Sequence, residues 1–510
     1  MTTGDISQTN KMRLLVRGMV IVVLISVLSL VLYSLILWAA VPSTPGPYRY
    51  DTNKLSKADE YMTIVGSDIE SHFYTLEVHN CSLQSTEINI TWNNAIWQKV
   101  DGKRVYLYRS YYDIRYVFEG TSYHYVRIIG MPQGKVKEGE KYYCHLWYPR
   151  EQDPVAVRAD VSEVWQPVWD SKPKPDMYHT YLFSCPIPLQ VHEHRPHPEF
   201  VSLSHQACGN ITTQLKVHHD GIRAWQRSER KGKYVVCVKG MNFEEDVSMK
   251  LIEWLELISI LGASKILMYK YTVHHNVGKV LDYYQRKGKV VIVPLTLPGD
   301  QPNEPKQRTR YLKKALWQKR RNELITYNDC LYRNIYLYDY VVPLDIDEVV
   351  IPVGTYTWSQ MFTKLLRKQP QLLNKYASFS AQNVYFLDVF NVTFDPEIPR
   401  HFHMLQHTTR SANFSIHGHS VKSFISTKNS LTVFNHYTLE SLYPKLKQNL
   451  VMNTSLAQLN HYKKRCPREM YSQCKSKFLV YTEKDKIIEK YKDKLIPKVE
   501  AVMKELGLVT

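Results

Sequence analysis

Residues 234–293, YVVCVKGMNFEEDVSMKLIEWLELISILGASKILMYKYTVHHNVGKVLDYYQRKGKVVIV, switch repeatedly between two hydrophobic patterns. Tyr234-Val235-Val236-Cys237-Val238 is a continuous apolar run of strand length, the kind buried on both faces of a sheet. An acidic patch, Glu244-Glu245-Asp246, follows it. Leu251, Trp254, Leu255, Ile258 and Leu261 then keep helical spacing until Gly262 stops them. Ile266-Leu267-Met268-Tyr269 is the next strand, and a second helix from Val277 to Arg286 ends at Gly288. Val290-Val291-Ile292-Val293 is the third strand. Strand–helix–strand–helix–strand order predicts a parallel sheet with right-handed crossovers, a nucleotide-binding half of Rossmann type within an α/β fold. The segment holds no G-x-G-x-x-G and no G-x-x-x-x-G-K-[ST], so neither a dinucleotide site nor a P-loop is expected.

Downstream, a polar loop (Pro298 to Arg308) and another helix lead through Asn328-Asp329-Cys330-Leu331 to Tyr340-Val341-Val342-Pro343-Leu344-Asp345-Ile346-Asp347-Glu348-Val349-Val350-Ile351-Pro352. Two apolar β-rich runs flank a short acidic cluster. Asp345 and Asp347 are two residues apart, so on an extended strand they face the same side. Such a pair can hold a hard divalent cation and, through it, a diphosphate. The cluster falls at the C-terminal edge of a later sheet strand, where open α/β sheets place their ligands.

The N-terminus indicates location. Gly18 to Val41 carries no charge, and as a helix it spans about 36 Å, enough for a bilayer core of about 30 Å. Lys11, Arg13 and Arg17 precede it, which puts residues 1–17 in the cytosol and everything beyond Val41 across the membrane. A cleaved signal peptide fits less well, because the apolar stretch exceeds the usual roughly 7–15 residues and Trp38 sits where a small residue is wanted. All eight cysteines lie beyond the anchor, where an oxidising lumen permits disulfides. Their connectivity is open, although Cys466 and Cys474 could close a short loop and Cys237 reads as a buried thiol. Glycosylation sequons at Asn80, Asn89, Asn210, Asn391, Asn413 and Asn453 agree with a secretory-pathway protein. The net charge of +18 therefore points to nucleotide diphosphates or acidic glycans rather than to nucleic acid. The basic runs Lys313-Lys314 and Lys319-Arg320-Arg321 read as a solvated helix face.

Residues 42–73 read as a stem and 74–230 as a β-rich accessory domain, with Val105–Tyr108 and Tyr123–Ile129 as short strands bounded by Gly102, Gly120 and Gly130. The nucleotide-binding texture covers 231–480. Residues 481–510 form a charged amphipathic helix, interrupted at Pro497, whose apolar stripe (Ile488, Tyr491, Leu495, Val499, Val502, Leu506) docks on the globular part.

Several motifs in order carry a family resemblance. They are Val236-Cys237-Val238, Ile252-Glu253-Trp254-Leu255-Glu256, Leu261-Gly262-Ala263-Ser264-Lys265-Ile266, Asp329-Cys330-Leu331-Tyr332-Arg333, Leu344-Asp345-Ile346-Asp347-Glu348, Lys422-Ser423-Phe424-Ile425 and His461-Tyr462-Lys463. Upstream, Tyr108-Arg109-Ser110-Tyr111-Tyr112-Asp113-Ile114-Arg115 is similar to the accessory region of animal members. Together they resemble glycosyltransferase family 92 over roughly Arg104 to Cys474. The resemblance implies a GT-A catalytic domain in a single-pass type II Golgi membrane protein. It implies Mn2+ as cofactor and inverting transfer of galactose from UDP-galactose to a glycoprotein or glycolipid glycan, through a β1,4 linkage. By resemblance, Asp345 and Asp347 are the metal and nucleotide-sugar motif, supported by Glu348. A late histidine completes the metal ligands, His461 as first choice and His436 as second. One departure stands out: Tyr269-Lys270-Tyr271 occupies a place where related sequences tend to carry an acid.

Inverting transfer needs a base to take the acceptor proton. Asp388, closing the apolar run Val384-Tyr385-Phe386-Leu387, is the candidate; the plainer alternative is a strand-ending turn residue. Trp254 reads as core and Glu256 as a solvated or capping group. Two other functions compete. A D-x-D metal-dependent phosphohydrolase would use its first Asp as nucleophile but needs a later Lys and paired acids that are not evident. A membrane-tethered lectin would use the Tyr-rich β region and would not need Asp345 and Asp347.

Overall fold

The computed structural model describes residues 76–509 apart from 77, 83–87, 193–195, 391–393 and 467–470. The expected cytosolic tail (1–17), membrane anchor (18–41) and stem (42–73) lie outside the described residues. Among the described residues no helix is long and apolar enough to cross a membrane. The described residues belong to one compact unit.

Its N-terminal part is a ten-stranded, mainly antiparallel sheet. At its centre is a long hairpin of β1 (Val105–Phe118) and β2 (Thr121–Pro132). The strands are much longer than their sequence suggests. Gly120, at φ 84°, makes the turn, but Gly130 lies inside β2. A Cβ at Gly130 would come within 3.1 Å of the Leu107 side chain and the Tyr106 carbonyl, so this glycine serves close packing rather than chain reversal.

The second part follows the predicted order: β3 (Gly232–Phe243), α1 (Ser248–Leu261), β4 (Lys265–Val273), α2 (His275–Arg286) and β5 (Val290–Pro294). Gly262 caps α1 in the left-handed region at φ 116°. Helix α3 (Leu316–Asn334) then leads into β6 (Tyr338–Pro343) and, after the acidic cluster, β7 (Glu348–Pro352). Strands β8 (Ser378–Leu387), β9 (Lys422–Ser426) and β10 (Ala457–Lys463) complete a mixed sheet ordered β5-β4-β3-β6-β9-β8-β10-β7. The first four are parallel, with Val236 paired to both Ile266 and Val342. Strand β9 joins antiparallel to both β6 and β8.

One hydrophobic cluster is shared by the two parts: Leu107, Ile128 and Phe183 pack with Val235, Leu267, Leu331 and Tyr336. Helix α3 supplies its central residues and a buried polar junction. Asp329, fully enclosed, accepts from the hydroxyls of Tyr111 and Tyr269 and pairs with Arg333 at 2.5 Å. Arg109 lies 3.7 Å away. Motifs from both parts thus converge on one carboxylate. The basic face of this helix is not simply solvated: Arg321 is buried, its guanidinium 3.8 Å from the centre of the Trp165 ring.

All eight cysteines are bridged, as Cys81–Cys208, Cys144–Cys185, Cys237–Cys330 and Cys466–Cys474. Cys237 is therefore not a free thiol, because α3 lays Cys330 against β3. Asn80, Asn89, Asn210, Asn413 and Asn453 are exposed, as sequons require, and Asn391 lies outside the described residues. The C-terminal segment is less uniform than a single helix. Thr482–Lys484 pairs as a strand with Thr409–Ser411, a 3-10 turn spans Ile487–Tyr491, and α4 runs Lys492–Glu505 through Pro497. Burial of Leu495, Val499 and Met503 on one side keeps α4 continuous, while Pro497 sits on its exposed side.

Candidate active site

Strand β6 ends at Pro343, and the Leu344 N–H still donates to the Cys237 carbonyl at 3.1 Å. The chain then reverses: Glu348 N–H donates to the Asp345 carbonyl at 3.0 Å, and the Glu348 carboxylate accepts from Asp345 N–H at 3.0 Å. Asp345 and Asp347 therefore sit in a turn rather than on an extended strand. Glu348 does not face outward with them; it is buried and closes the turn. The turn is backed on two sides. Trp254 Nε1 donates to the Glu348 carbonyl and Tyr462 N–H to the Asp347 carbonyl, each at 2.8 Å. Trp254 is thus core, as expected, and also a support for the acidic turn. Glu256 accepts from the Tyr284 hydroxyl at 2.7 Å.

Three lysines enclose the carboxylates. Lys239 Nζ is 3.1 Å from Asp345 and 3.4 Å from Glu323. Lys422 is 3.2 Å from Glu348 and 3.8 Å from Asp345, and Lys463 is 3.2 Å from Asp347. Burial alone would raise the Asp345 carboxyl, but Lys239, Lys422 and Lys463 hold it well below the usual carboxylate range. Burial likewise opposes ionisation of Asp347, and the His461 ring and Lys463 outweigh it. Asp345 and Glu323 in turn lift Lys239 against the effect of its burial.

His461 stands directly opposite Glu348 where β10 pairs with β7. Its Nε2 is 3.7 Å from Asp347 Oδ2 and its Nδ1 3.5 Å from Glu348 Oε1. Both ring nitrogens are buried without a hydrogen-bond partner. An orphaned imidazole nitrogen 3.7 Å from the ionised Asp347 carboxylate fits a borderline-hard divalent ion such as Mn2+. His436, the second choice, is placed differently: Nδ1 contacts the Val421 carbonyl at 2.8 Å and the ring packs on Trp169. Burial lowers it to about 3.

Asp388 follows β8, held by its N–H to the Lys463 carbonyl at 3.0 Å. It is the strand-ending turn residue, and it also lines a cavity of about 500 Å³ together with Asp345, Asp347, Tyr271, His403 and Lys463. Tyr271, from the segment that departs from the family pattern, thus forms part of the cavity wall, whereas Tyr269 serves Asp329. Lys313 and Lys319, expected only as solvated charges, reach the same cavity.

Sequence reasoning missed His403 and His407. His407 Nε2 is 3.0 Å from Asp388 Oδ1, and burial lowers His403 to about 3. Their turn is fixed by Glu253 of α1, whose buried carboxylate accepts the N–H groups of His403, Met404 and Leu405 at 2.7–3.0 Å. The only hint in the sequence is the spacing of the two histidines in a polar stretch. Lys422 and Lys463 did lie in recognised motifs, but as pattern and not as counter-charges.

The model of Glycosyltransferase family 92 matches residues 232–500, from the start of β3 through most of α4. The chain is also similar to Beta-1,4-galactosyltransferase galt-1 of Caenorhabditis elegans, 26% identical over 123 residues. That alignment takes in 24% of this chain and 26% of the relative, so the chain spans about a quarter of the relative's length. The matched family segment contains the parallel strands, the acidic turn, the lysine ring and both histidine sets, and on that match the chain belongs to glycosyltransferase family 92.

Proposed function

We propose that this glycosyltransferase is a metal-dependent, inverting galactosyltransferase of GT-A type that moves galactose from UDP-galactose to a glycan hydroxyl, with a β1,4 linkage. The observation that carries the reading is the acidic turn at the C-terminal end of the parallel strands, opening with its lysines onto one cavity. Two carboxylates with a metal, ringed by cations, suit a nucleoside diphosphate. The choice of galactose rests on the family resemblance and on the relative's name.

Asp345, Asp347 and His461 are the residues that would hold Mn2+; bound there, the ion supplies Lewis-acid neutralisation of charge on the diphosphate. Lys463, beside Asp347, adds a fixed positive charge facing the same cavity. Asp388 takes the proton from the acceptor hydroxyl. The freed oxygen attacks the sugar C1 from the face opposite the diphosphate, and the C1–O bond to UDP breaks with its electron pair leaving on UDP. The four disulfides and exposed sequons support a lumenal catalytic part behind the Gly18–Val41 anchor, in the Golgi.

Product stereochemistry tests the proposal. Full-length protein with UDP-galactose, Mn2+ and galactose- or fucose-terminated glycans should give a β-linked product by NMR of the anomeric proton. An α-linked product would refute inversion and with it the role of Asp388.

A further inference from the structure

We propose that Asp388, His403 and His407 form a second divalent-cation site, of Zn2+ type, at the cavity that the acidic turn also lines. One ligand atom from each lies within 4.8 Å of the others. His407 Nδ1 is 2.6 Å from the His403 carbonyl, a contact that needs Nδ1 to carry the proton. Its Nε2 then presents a lone pair, and that atom is buried without a hydrogen-bond partner, 3.0 Å from an Asp388 oxygen. Those two atoms need a positive charge between them, which a proton on Nε2 or a metal cation supplies. The imidazole is oriented by a backbone carbonyl, as metal-ligating histidines usually are.

The support extends further out. Glu253 is buried in α1, and its carboxylate fixes three consecutive N–H groups of the turn that carries both histidines. Two imidazoles and one carboxylate leave a coordination position open, and Asp388 and His403 both face the cavity. The donor set also separates the two sites: imidazoles suit Zn2+, whereas the carboxylate-rich turn suits Mn2+.

A consequence rests on the proposed role of Asp388 as base. Ligation draws charge from the carboxylate that would accept the acceptor proton, so a cation in this site weakens Asp388 as a base. Zn2+ is then an inhibitor acting at a place Mn2+ does not need.

The experiment titrates chelator-stripped full-length protein with Zn2+ by calorimetry and with Co2+ by visible absorption. It compares wild type with His407→Ala, His403→Ala, Asp388→Asn and Asp347→Asn, with near-ultraviolet circular dichroism as the check on folding. All cysteines are bridged, so thiolates do not compete. The site predicts a Co2+ absorption band in wild type and Asp347→Asn. Each of the other three variants should weaken Zn2+ binding by more than the roughly 10–100-fold that loss of an outer partner costs. Equal Zn2+ affinity in wild type and all three folded variants, or no binding in wild type, overturns the site. Turnover is read in parallel: Zn2+ inhibition in wild type, relieved in His407→Ala, supports that antagonism. Variant-sensitive Zn2+ binding with unchanged wild-type turnover keeps the site and removes Asp388 as the base.

Discussion

Lys239 Nζ lies between Asp345 and Glu323, 3.1 Å from the first and 3.4 Å from the second. The lysine follows the apolar run of β3 directly, so the central strand that builds the core also delivers the counter-charge of the site. Replacing it by Met leaves two carboxylates facing each other with one cation fewer. Lys239→Met should lower stability by about 1.5–3 kcal/mol, measured by urea unfolding. It should also weaken UDP binding, measured by calorimetry with Mn2+ present.

Asp329 is the corresponding junction away from the cavity. It is fully buried, and Asp329→Asn leaves Arg333 and Arg109 without their anion. Both arginines keep some solvent, so the loss should fall near the lower end of about 3–5 kcal/mol. Unfolding midpoints check this, and below the transition UDP binding should match wild type.

The Cys237–Cys330 bridge closes 93 residues around β3, β4 and α3. The double replacement Cys237→Ala/Cys330→Ala should cost about 4.6 kcal/mol by the loop-entropy relation. Denaturant titration reads the loss. Reduction of the wild type, which opens all four bridges, should cost at least as much.

Stability should fall as pH drops below neutrality. Burial lowers His145 to about 4 and His403 and His436 to about 3, whereas an unfolded histidine titrates near 6.5. Between those values the unfolded chain binds more protons than the native one, so stability is complete above about 6.5 and is lost toward 4 and 3. Each group contributes at most about 1.4 kcal/mol per pH unit in that window. Urea midpoints at pH 7 and pH 5 measure the fall. His145→Gln, at a fully buried position, should flatten it.

Much of this architecture was legible in the sequence, and the reason is local. The strands Tyr234–Val238, Ile266–Tyr269 and Val290–Val293 are apolar runs with glycine stops between them, and such patterns depend on neighbours in the chain. The Asp345–Glu348 cluster was legible because paired acids between two apolar runs are costly without a purpose. What stayed hidden depends on contacts across the sheet. Asp345 and Asp347 occupy a turn because Glu348 folds back on the Asp345 N–H, which strand alternation does not foresee. The bridge of Cys237 carries no local signal, because its partner is 93 residues away on α3. His403 and His407 carry no periodic signal, and they reach Asp388 only because Glu253 of another helix holds their turn. Pro497 suggested a break that the packing of Leu495 and Val499 prevents.

Release of UDP from UDP-galactose by the full-length protein, with and without Mn2+, in wild type and Asp347→Asn, puts the acidic turn itself on trial. Wild type should turn over only with the metal, faster when a glycan acceptor is present, and Asp347→Asn should lose roughly 10²–10³-fold. Equal rates in the two proteins, or no turnover of any UDP-sugar by wild type with Mn2+ and acceptor, would contradict the assignment of Asp345 and Asp347 as the nucleotide-sugar motif.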